Sequence, residues 1–304
     1  MGILINILKL GRFHFLIGGF FLFSLGALWS LLNGADFIVE KFVWGYAILF
    51  TGHLSVSYSN DYFDTESDRF STPTLFAGGS GILVKHPELR IFAKWIALSL
   101  IGISLLLTVG FTIMYSFPFY FIIFVLVGNL VGWFYTAPPL RLSYRGMGEI
   151  TVMITMGFLM PIMGYLVLAK EIGTHFFIIG VPLLIYGLDF ILNVEIPDME
   201  ADRISKKKTL IARKGRPFGF ATITICLLLV TLYFFGLSLI SLELTNIDYR
   251  VLTLFSLLPL GVGIMPLTRK NTDKNNSTMY ANNNMAALVI FIVIINIYFT
   301  YHML

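Results

Sequence analysis

The sequence has few charged residues and a single cysteine. Only 12% of its 304 residues are Asp, Glu, Lys or Arg, whereas 57% are hydrophobic, and the mean hydropathy is +0.83. A soluble globular domain of this size carries more charge, so the composition predicts an all-α polytopic membrane protein. Cys226 lies within an apolar run and has no second cysteine to pair with, which indicates a small packing residue.

Long apolar runs recur along the whole chain and predict one membrane domain, residues 1–304. Lys9 and Arg12 precede the first run as in a signal peptide, but no small-residue cleavage site follows, which favours a retained helix. Nine runs are long enough to cross a bilayer. They lie at about 13–33, 39–59, 90–111, 116–135, 150–169, 173–193, 217–240, 248–268 and 281–302.

The basic residues show which ends of these helices face the cytoplasm. All 21 Lys and Arg residues except Lys41, Lys170 and Arg250 fall in the N-terminus or after the even-numbered helices. The positive-inside rule therefore predicts a cytoplasmic N-terminus and a C-terminus on the far side of the cell membrane. The net charge of +4 follows this membrane pattern and does not indicate nucleic-acid binding. The longer segments, 60–89 and 194–216, are predicted to be cytoplasmic cap loops.

Both of these long segments begin with closely spaced aspartates. In the first, a helix would place Asn60, Asp61, Asp64 and Asp68 on one face and Glu66 elsewhere. In the second, Asp198 and Asp202 would share a face opposite Glu200, and Pro197 favours a new helix that starts there. Crowded carboxylates repel one another, and hard oxygen ligands suit Mg²⁺ together with substrate phosphates. Either stretch alone is equally compatible with a solvated loop, whereas the matched pair favours a two-metal diphosphate site.

Cations that could bind phosphate lie near both acidic stretches. Lys85 follows the flexible Gly78–Gly81 segment, and Arg141 follows paired prolines, so both have a constrained backbone beside them. We interpret most of the basic run after the second stretch, Lys207 included, as positive-inside anchors. The candidates for diphosphate binding are Arg69, Lys85, Arg141, Arg145 and Lys208.

Several lone polar residues lie inside the apolar runs. Asp189, with Asn193 one turn along the helix, is either a ligand-site residue or the partner of a basic side chain. We interpret His53 and Asn129 as residues that form hydrogen bonds between packed helices rather than as ligands.

These motifs resemble the UbiA superfamily of intramembrane aromatic prenyltransferases. Its NDxxDxxxD motif is matched by Asn60, Asp61, Asp64 and Asp68, and its DxxxD motif by Asp198 and Asp202. Segments around Thr72–Leu83, Tyr135–Glu149 and Lys207–Arg216 are similar to the naphthoate (MenA) branch.

The resemblance implies a UbiA-like helical bundle in which the two motifs hold two Mg²⁺ ions against an isoprenyl diphosphate. It implies that an aromatic acceptor, which we expect to be 1,4-dihydroxy-2-naphthoate in menaquinone biosynthesis, captures the prenyl group, and that lipid surrounds the enzyme. Asp64, Asp68, Asp198, Asp202 and Tyr135 are expected to be catalytic. The alternatives are 4-hydroxybenzoate or a prenylated glyceryl phosphate as acceptor, and, from another class, a cation transporter.

Overall fold

The fold is all-helical in this computed structural model, which describes residues 2–74, 76–240, 247–269 and 273–303. Leu75 lies outside the described residues, although it belongs to one of the segments that resemble the naphthoate branch. The longer helices are α2 His14–Leu32, α3 Val39–Asp68, α5 Arg90–Met114, α6 Tyr120–Phe134, α8 Met160–Ala169, α9 Phe176–Ile204, α11 Arg216–Leu239, α12 Tyr249–Arg269 and α13 Lys274–Tyr301. Short helices connect them: α1 Ile3–Leu10, α4 Ile82–Lys85, α7 Gly148–Ile154 and α10 Leu210–Lys214.

Seven segments of the described chain are long and apolar enough to cross a membrane. They are Ile3–Leu32, Pro87–Met114, Gly148–Ala169, Phe176–Ile204, Arg216–Leu239, Tyr249–Arg269 and Lys274–Tyr301. Two of the nine predicted runs fall outside this set. One is α6, which is apolar but short, and the other is α3, whose last turns carry the first aspartate cluster.

Helices α3 and α9 continue through the acidic stretches instead of ending before them. Helix α3 has 30 residues and would be about 45 Å long at 1.5 Å per residue, which exceeds the hydrocarbon core of a bilayer. The apolar run predicted at 39–59 is therefore only part of α3. Residues 60–68 are helical, as the predicted aspartate face requires, and the predicted loop 60–89 is wrong for these residues. Likewise, residues 194–204 are the end of α9.

The expectation that a new helix starts at Pro197 is wrong. Helix α9 runs through both Pro182 and Pro197 without a break. Proline has no N–H, so Pro197 removes the helical hydrogen bond to the carbonyl of Asn193. The helix is maintained because neighbouring helices pack against it on several sides, among them α11, α13 and α10.

Helices α2 and α8 pack with their backbones nearly in contact. A Cβ atom on Gly26 would lie 1.7 Å from the carbonyl oxygen of Pro161, and one on Gly164 would lie 1.8 Å from that of Phe23. Small residues that allow close backbone approach are the usual basis of helix association in membranes. Between α7 and α8, residues Thr155–Leu159 form a π-helical turn, a feature that often marks a functional site.

We predict that Gly26→Ala destabilises the protein by about 3 kcal/mol, because the added methyl group overlaps a backbone atom that cannot rotate away. Gly18→Ala is the matched control on the same helix, since a Cβ atom there has open space within 4 Å. The free energy of unfolding in detergent measures both variants. Equal stability of the two would contradict the packing described for α2 and α8.

Candidate active site

The two acidic helix ends meet in one pocket. Its walls include the end of α3 and the end of α9, and its volume is about 130 Å³. The six predicted metal-binding side chains all line it: Asn60, Asp61, Asp64, Asp68, Asp198 and Asp202. Glu66 is 69% exposed on the outer face of α3, and Glu200 pairs with Arg216 at 2.6 Å on the outer face of α9.

A glycine-containing loop folds over the carboxylates. The N–H of Gly78 donates to Asp198 Oδ2 at 2.7 Å, and the backbone N–H and hydroxyl of Ser80 donate to Asp61. Gly78 has φ of +73°, which favours glycine. A Cβ atom on Gly79 would lie 1.8 Å from Asp68 Oδ2, so a larger residue there would displace the Asp68 carboxylate.

A lysine provides positive charge at the centre of the pocket. Lys207 Nζ lies 2.8 Å from Asp64 Oδ2, and the phenol of Tyr144 donates to Asp64 Oδ1 at 2.8 Å. The Lys207 side chain is only 15% exposed. Burial lowers the pKa of Lys207, but the charges of Asp64 and Asp202 outweigh it and the net pKa is raised, so this lysine stays protonated. Burial and then the charge of Asp64 raise the pKa of Tyr144, which keeps its phenol a hydrogen-bond donor.

The N-terminus supplies a second cation. Arg12, in the break between α1 and α2, lies 3.5 Å from Asp61 and donates to the carbonyl of Gly78 at 3.4 Å. Its φ of +41° turns the chain at this point. The sequence shows only that Arg12 precedes the first long apolar run. Nothing in it indicates a contact with a carboxylate 49 positions later.

The five cations predicted for diphosphate binding do not line the pocket. Arg69 pairs with Glu66 at 3.2 Å, Arg145 donates to the carbonyl of Pro139 at 2.8 Å, and Arg141 stacks on the ring of Tyr144 at 4.1 Å. Lys85 and Lys208 are exposed. Lys207, which we interpreted as an anchor, points inward instead. Three consecutive lysines look alike in a sequence, and which one turns inward depends on Lys206, whose φ is +59°.

Asp189 and Asn193 lie outside the aspartate pocket. Asp189 is fully buried and accepts hydrogen bonds from the amides of Asn193 at 3.1 Å and of Asn284, on α13, at 3.0 Å. The sequence also allowed a basic side chain as the partner of Asp189, and none is present among the contacts of Asp189 with the described residues. Asp189 therefore joins α9 to α13 and Asn193 bonds to it within α9, while Ile191 and Val194 face the pocket.

An apolar cavity of about 280 Å³ continues from the aspartate pocket into the bundle. The two share a border that includes Asn60, Tyr135, Ile191 and Val194. Tyr135, predicted to be catalytic, thus stands where the charged pocket meets the apolar cavity. The π-helical turn contributes Thr155, Met156 and Leu159 to the wall of the apolar cavity. These three residues do not line the aspartate pocket.

The oxygen-rich lining suits Mg²⁺, which prefers carboxylate and amide oxygens. Among the described residues, no group of three Asp, Glu, His or Cys side chains is arranged as a preformed metal site. The protein's own donors hold the carboxylates instead: Lys207, Arg12 and the Gly78–Ser80 backbone. These hydrogen-bond donors supply part of the positive charge that a metal ion would bring. The carboxylate and amide oxygens that they hold are ligands that fit Mg²⁺.

Comparison with known proteins identifies a family and a fold. Residues 19–293 match the UbiA prenyltransferase family. A 1,4-dihydroxy-2-naphthoate octaprenyltransferase from Bacillus subtilis is 26% identical over 162 residues, which cover 53% of this chain and 51% of that protein. The match therefore spans about half the length of this relative.

Solved structures share the fold at low sequence identity. A UbiA homolog from Archaeoglobus fulgidus, bound to DMAPP and Mg²⁺, has a TM-score of 0.68 at 14% identity, over 94% of this chain and 98% of that one. A digeranylgeranylglyceryl phosphate synthase has a TM-score of 0.66 at 18% identity, over 98% and 99% of the two chains.

We predict that Lys207→Met and Asp64→Asn each destabilise the protein but that the double variant loses less than their sum. Each single change leaves a buried charge unpaired, whereas the double change removes both charges. We expect a coupling free energy of about 1–3 kcal/mol. Unfolding in detergent measures it, with the exposed Lys208→Met as the matched control. Strictly additive effects would show that the ion pair does not form.

Proposed function

The chain belongs to the UbiA prenyltransferase family, and we propose that this membrane enzyme transfers a polyprenyl group from an isoprenyl diphosphate to an aromatic acceptor. One observation carries the proposal. A pocket lined by the Asn and Asp side chains of both motifs and by two cations borders an apolar cavity inside a membrane bundle. Such a site matches a substrate with a charged head and a long apolar tail. Family membership places the chain among enzymes, which sets aside the cation transporter.

The aspartates and the two inward cations would bind the head of the donor. Asn60, Asp61, Asp64, Asp68, Asp198 and Asp202 would hold two Mg²⁺ ions. Bound Mg²⁺ would neutralise the negative charge that builds up on the leaving diphosphate. Lys207 and Arg12 would exchange their carboxylate partners for phosphate oxygens. Both remain charged, so they would stabilise the leaving group further.

The rest of the site would guide the prenyl group to the acceptor. The allylic C–O bond breaks and its electron pair leaves with the diphosphate. A ring carbon of the acceptor then forms the new C–C bond. Tyr135 stands at the border where this carbon must arrive, and the apolar cavity beyond it excludes water that would otherwise capture the allylic cation. The ring finally loses a proton or, in a naphthoate, carbon dioxide.

For the acceptor we propose 1,4-dihydroxy-2-naphthoate, which would place the enzyme in menaquinone biosynthesis. The support is the Bacillus subtilis relative together with segments that resemble its branch, such as Tyr135–Glu149. A prenylated glyceryl phosphate is the second candidate, because a digeranylgeranylglyceryl phosphate synthase shares the fold along nearly the whole chain. 4-Hydroxybenzoate is the third, and no observation on the structure favours it.

We further propose that nine helices cross the membrane, with α3 and α6 added to the seven apolar segments. Residues 1–304 would form one domain whose 60–89 and 194–216 segments cover the site on the cytoplasmic side. The asymmetry of Lys and Arg supports this orientation. A cysteine at Asn275, which is exposed, should react with a membrane-impermeant thiol reagent from the cytoplasmic side only. Labelling from the other side would reverse the orientation.

We predict that prenyl transfer requires Mg²⁺ or Mn²⁺ and stops in EDTA. Asp64→Ala and Asp198→Ala should each reduce turnover by roughly a hundredfold or more, because each removes a carboxylate that positions charge at the leaving group. Glu66→Ala is the matched control from the same turns of α3, and its exposed side chain should be dispensable. Turnover is measured as product formed from radiolabelled geranylgeranyl diphosphate. A Glu66→Ala variant as impaired as Asp64→Ala would refute the assignment of the faces.

We predict that 1,4-dihydroxy-2-naphthoate is the preferred acceptor when the three candidates compete in one assay. Its electron-rich ring captures an allylic cation, and loss of carbon dioxide restores aromaticity. Purified protein receives Mg²⁺, geranylgeranyl or a longer diphosphate, and equal amounts of the naphthoate, 4-hydroxybenzoate and a prenylated glyceryl phosphate. Mass spectrometry identifies the products. A dominant product from either of the other two acceptors would replace the naphthoate and leave the metal mechanism intact.

A further inference from the structure

One wall of the apolar cavity carries polar side chains at regular intervals. His53, Ser57 and Asn60 lie on α3 at spacings of four and three residues, so they share one helix face with Asp64. Asn129, on α6, lines the same cavity. This polar wall, defined by His53, Ser57, Asn60 and Asn129, extends about 10 Å along α3 from Asn60 to His53.

The amide of Asn129 is oriented by its neighbours. Its Nδ2 donates to the carbonyl of Val125 at 2.9 Å and to Ser104 Oγ at 3.2 Å, and Ser104 Oγ in turn donates to the carbonyl of Ile48. Rotating the amide by 180° would set its oxygen against the Val125 carbonyl, so the orientation is fixed. The amide oxygen, Oδ1, is left buried without a hydrogen-bond partner among the residues that the structure describes.

That oxygen lies beside a notch in the surface of α3, the space left by the missing side chain of Gly52. Asn129 is 8% exposed, and a Cβ atom on Gly52 would lie 3.1 Å from its Oδ1. Gly52 also lines the cavity, so the missing side chain leaves room beside the amide. Buried acceptors without partners are uncommon in folded proteins and call for an explanation.

His53 and Ser57 also place polar side chains at the cavity. Neither side chain takes part in a hydrogen bond with the described residues, although both line the cavity and Ser57 is buried. By contrast, the Ser55 hydroxyl, on the same helix, donates to the carbonyl of Gly52 at 2.6 Å. The helix can therefore satisfy a serine internally, and it does not do so for Ser57.

The facing wall of the cavity is mostly apolar, and the hydroxyl of its Thr155 already donates to the carbonyl of Thr151 at 2.9 Å. Its apolar side chains come from the π-helical turn, α8 and α9, namely Met156, Leu159, Met160, Met163, Phe190 and Ile191. A prenyl chain has no hydrogen-bonding atoms, so it suits this wall and would leave the polar wall unsatisfied. A ligand with phenolic hydroxyl groups suits the polar wall. Its O–H can donate to Asn129 Oδ1, while His53 and Ser57 offer further donors and acceptors.

We propose that the polar wall is the subsite of a hydroxylated aromatic acceptor and that the prenyl chain occupies the facing apolar wall. This inference rests on the proposed prenyl transfer and names the residues that would recognise the acceptor. Asn129 Oδ1 accepts a hydrogen bond from a ring hydroxyl, and His53 and Ser57 bind the ring's other oxygen atoms. The two substrates thus reach Tyr135 along opposite sides of one cavity.

Steady-state kinetics of four variants test the subsite. Asn129→Leu removes the amide oxygen that has no partner. Gly52→Ala keeps that oxygen but fills the space beside it with a methyl group. Alanine also favours the helix more than glycine does. These two variants and Ser57→Ala should each raise KM for the naphthoate by roughly tenfold. KM for the prenyl diphosphate should stay within about twofold of the wild-type value. Ser55→Ala is the matched control and should change neither. Unchanged acceptor KM in Asn129→Leu and Gly52→Ala, or equal changes in both KM values, would overturn the proposal.

A binding measurement separates this proposal from the proposed function. The wild-type protein, without metal or diphosphate, is titrated calorimetrically with 1,4-dihydroxy-2-naphthoate and with its 1,4-dimethyl ether. The hydroxyl-bearing ligand should bind roughly tenfold more tightly, and Asn129→Leu should abolish the difference. Equal binding of the two ligands by the wild type would refute the subsite even if prenyl transfer occurs. Failure of prenyl transfer, with the difference in binding preserved, would refute the proposed function alone.

Discussion

The need to neutralise buried carboxylates governs the architecture of this protein. Five aspartates line one small pocket at the end of a membrane bundle, where ionised groups are poorly solvated and repel one another. Their partners come from distant parts of the chain: Arg12 from the N-terminus, the Gly78–Ser80 backbone from one loop and Lys207 from another. Both loops fold inward because the carboxylates hold them there. The pocket is thus assembled by charge, and the same charge would attract a metal-bound diphosphate.

The cavity behind the pocket depends on a different kind of contact. Helices α2 and α8 touch through Gly26 and Gly164, which brings one side of the bundle close together. The π-helical turn Thr155–Leu159 comes just before α8, and three of its residues line the cavity. The close contact between α2 and α8 thus lies in the same bundle as a cavity with space for an apolar substrate.

Sequence patterns predicted the aspartate faces well because helical periodicity is a local property. The spacing of Asp61, Asp64 and Asp68 already places them together and Glu66 apart, as the structure does. The helix expected to start at Pro197 was wrong, because packing against neighbouring helices overrides a local preference. The inward cations were missed for a related reason. Whether Lys207 or Lys208 enters the pocket depends on a turn at Lys206 and on a carboxylate 143 residues earlier, and neither is visible in a run of like charges.

The long separation between Asp64 and Lys207 has a consequence for biosynthesis. Ribosomes add about 5–20 residues per second, so the 143 residues between the two partners take about 7–30 s to emerge. During that interval, Asp64 is already in place at the end of α3 while its lysine has not yet been made. Arg12 and the Gly78–Ser80 loop are synthesised early and contact Asp61 of the first cluster, and Tyr144, which donates to Asp64, also precedes the lysine. Until the chain beyond α9 has been made, the first cluster therefore has a cationic partner at Asp61 but not at Asp64, and closure of the pocket is a late step of its assembly.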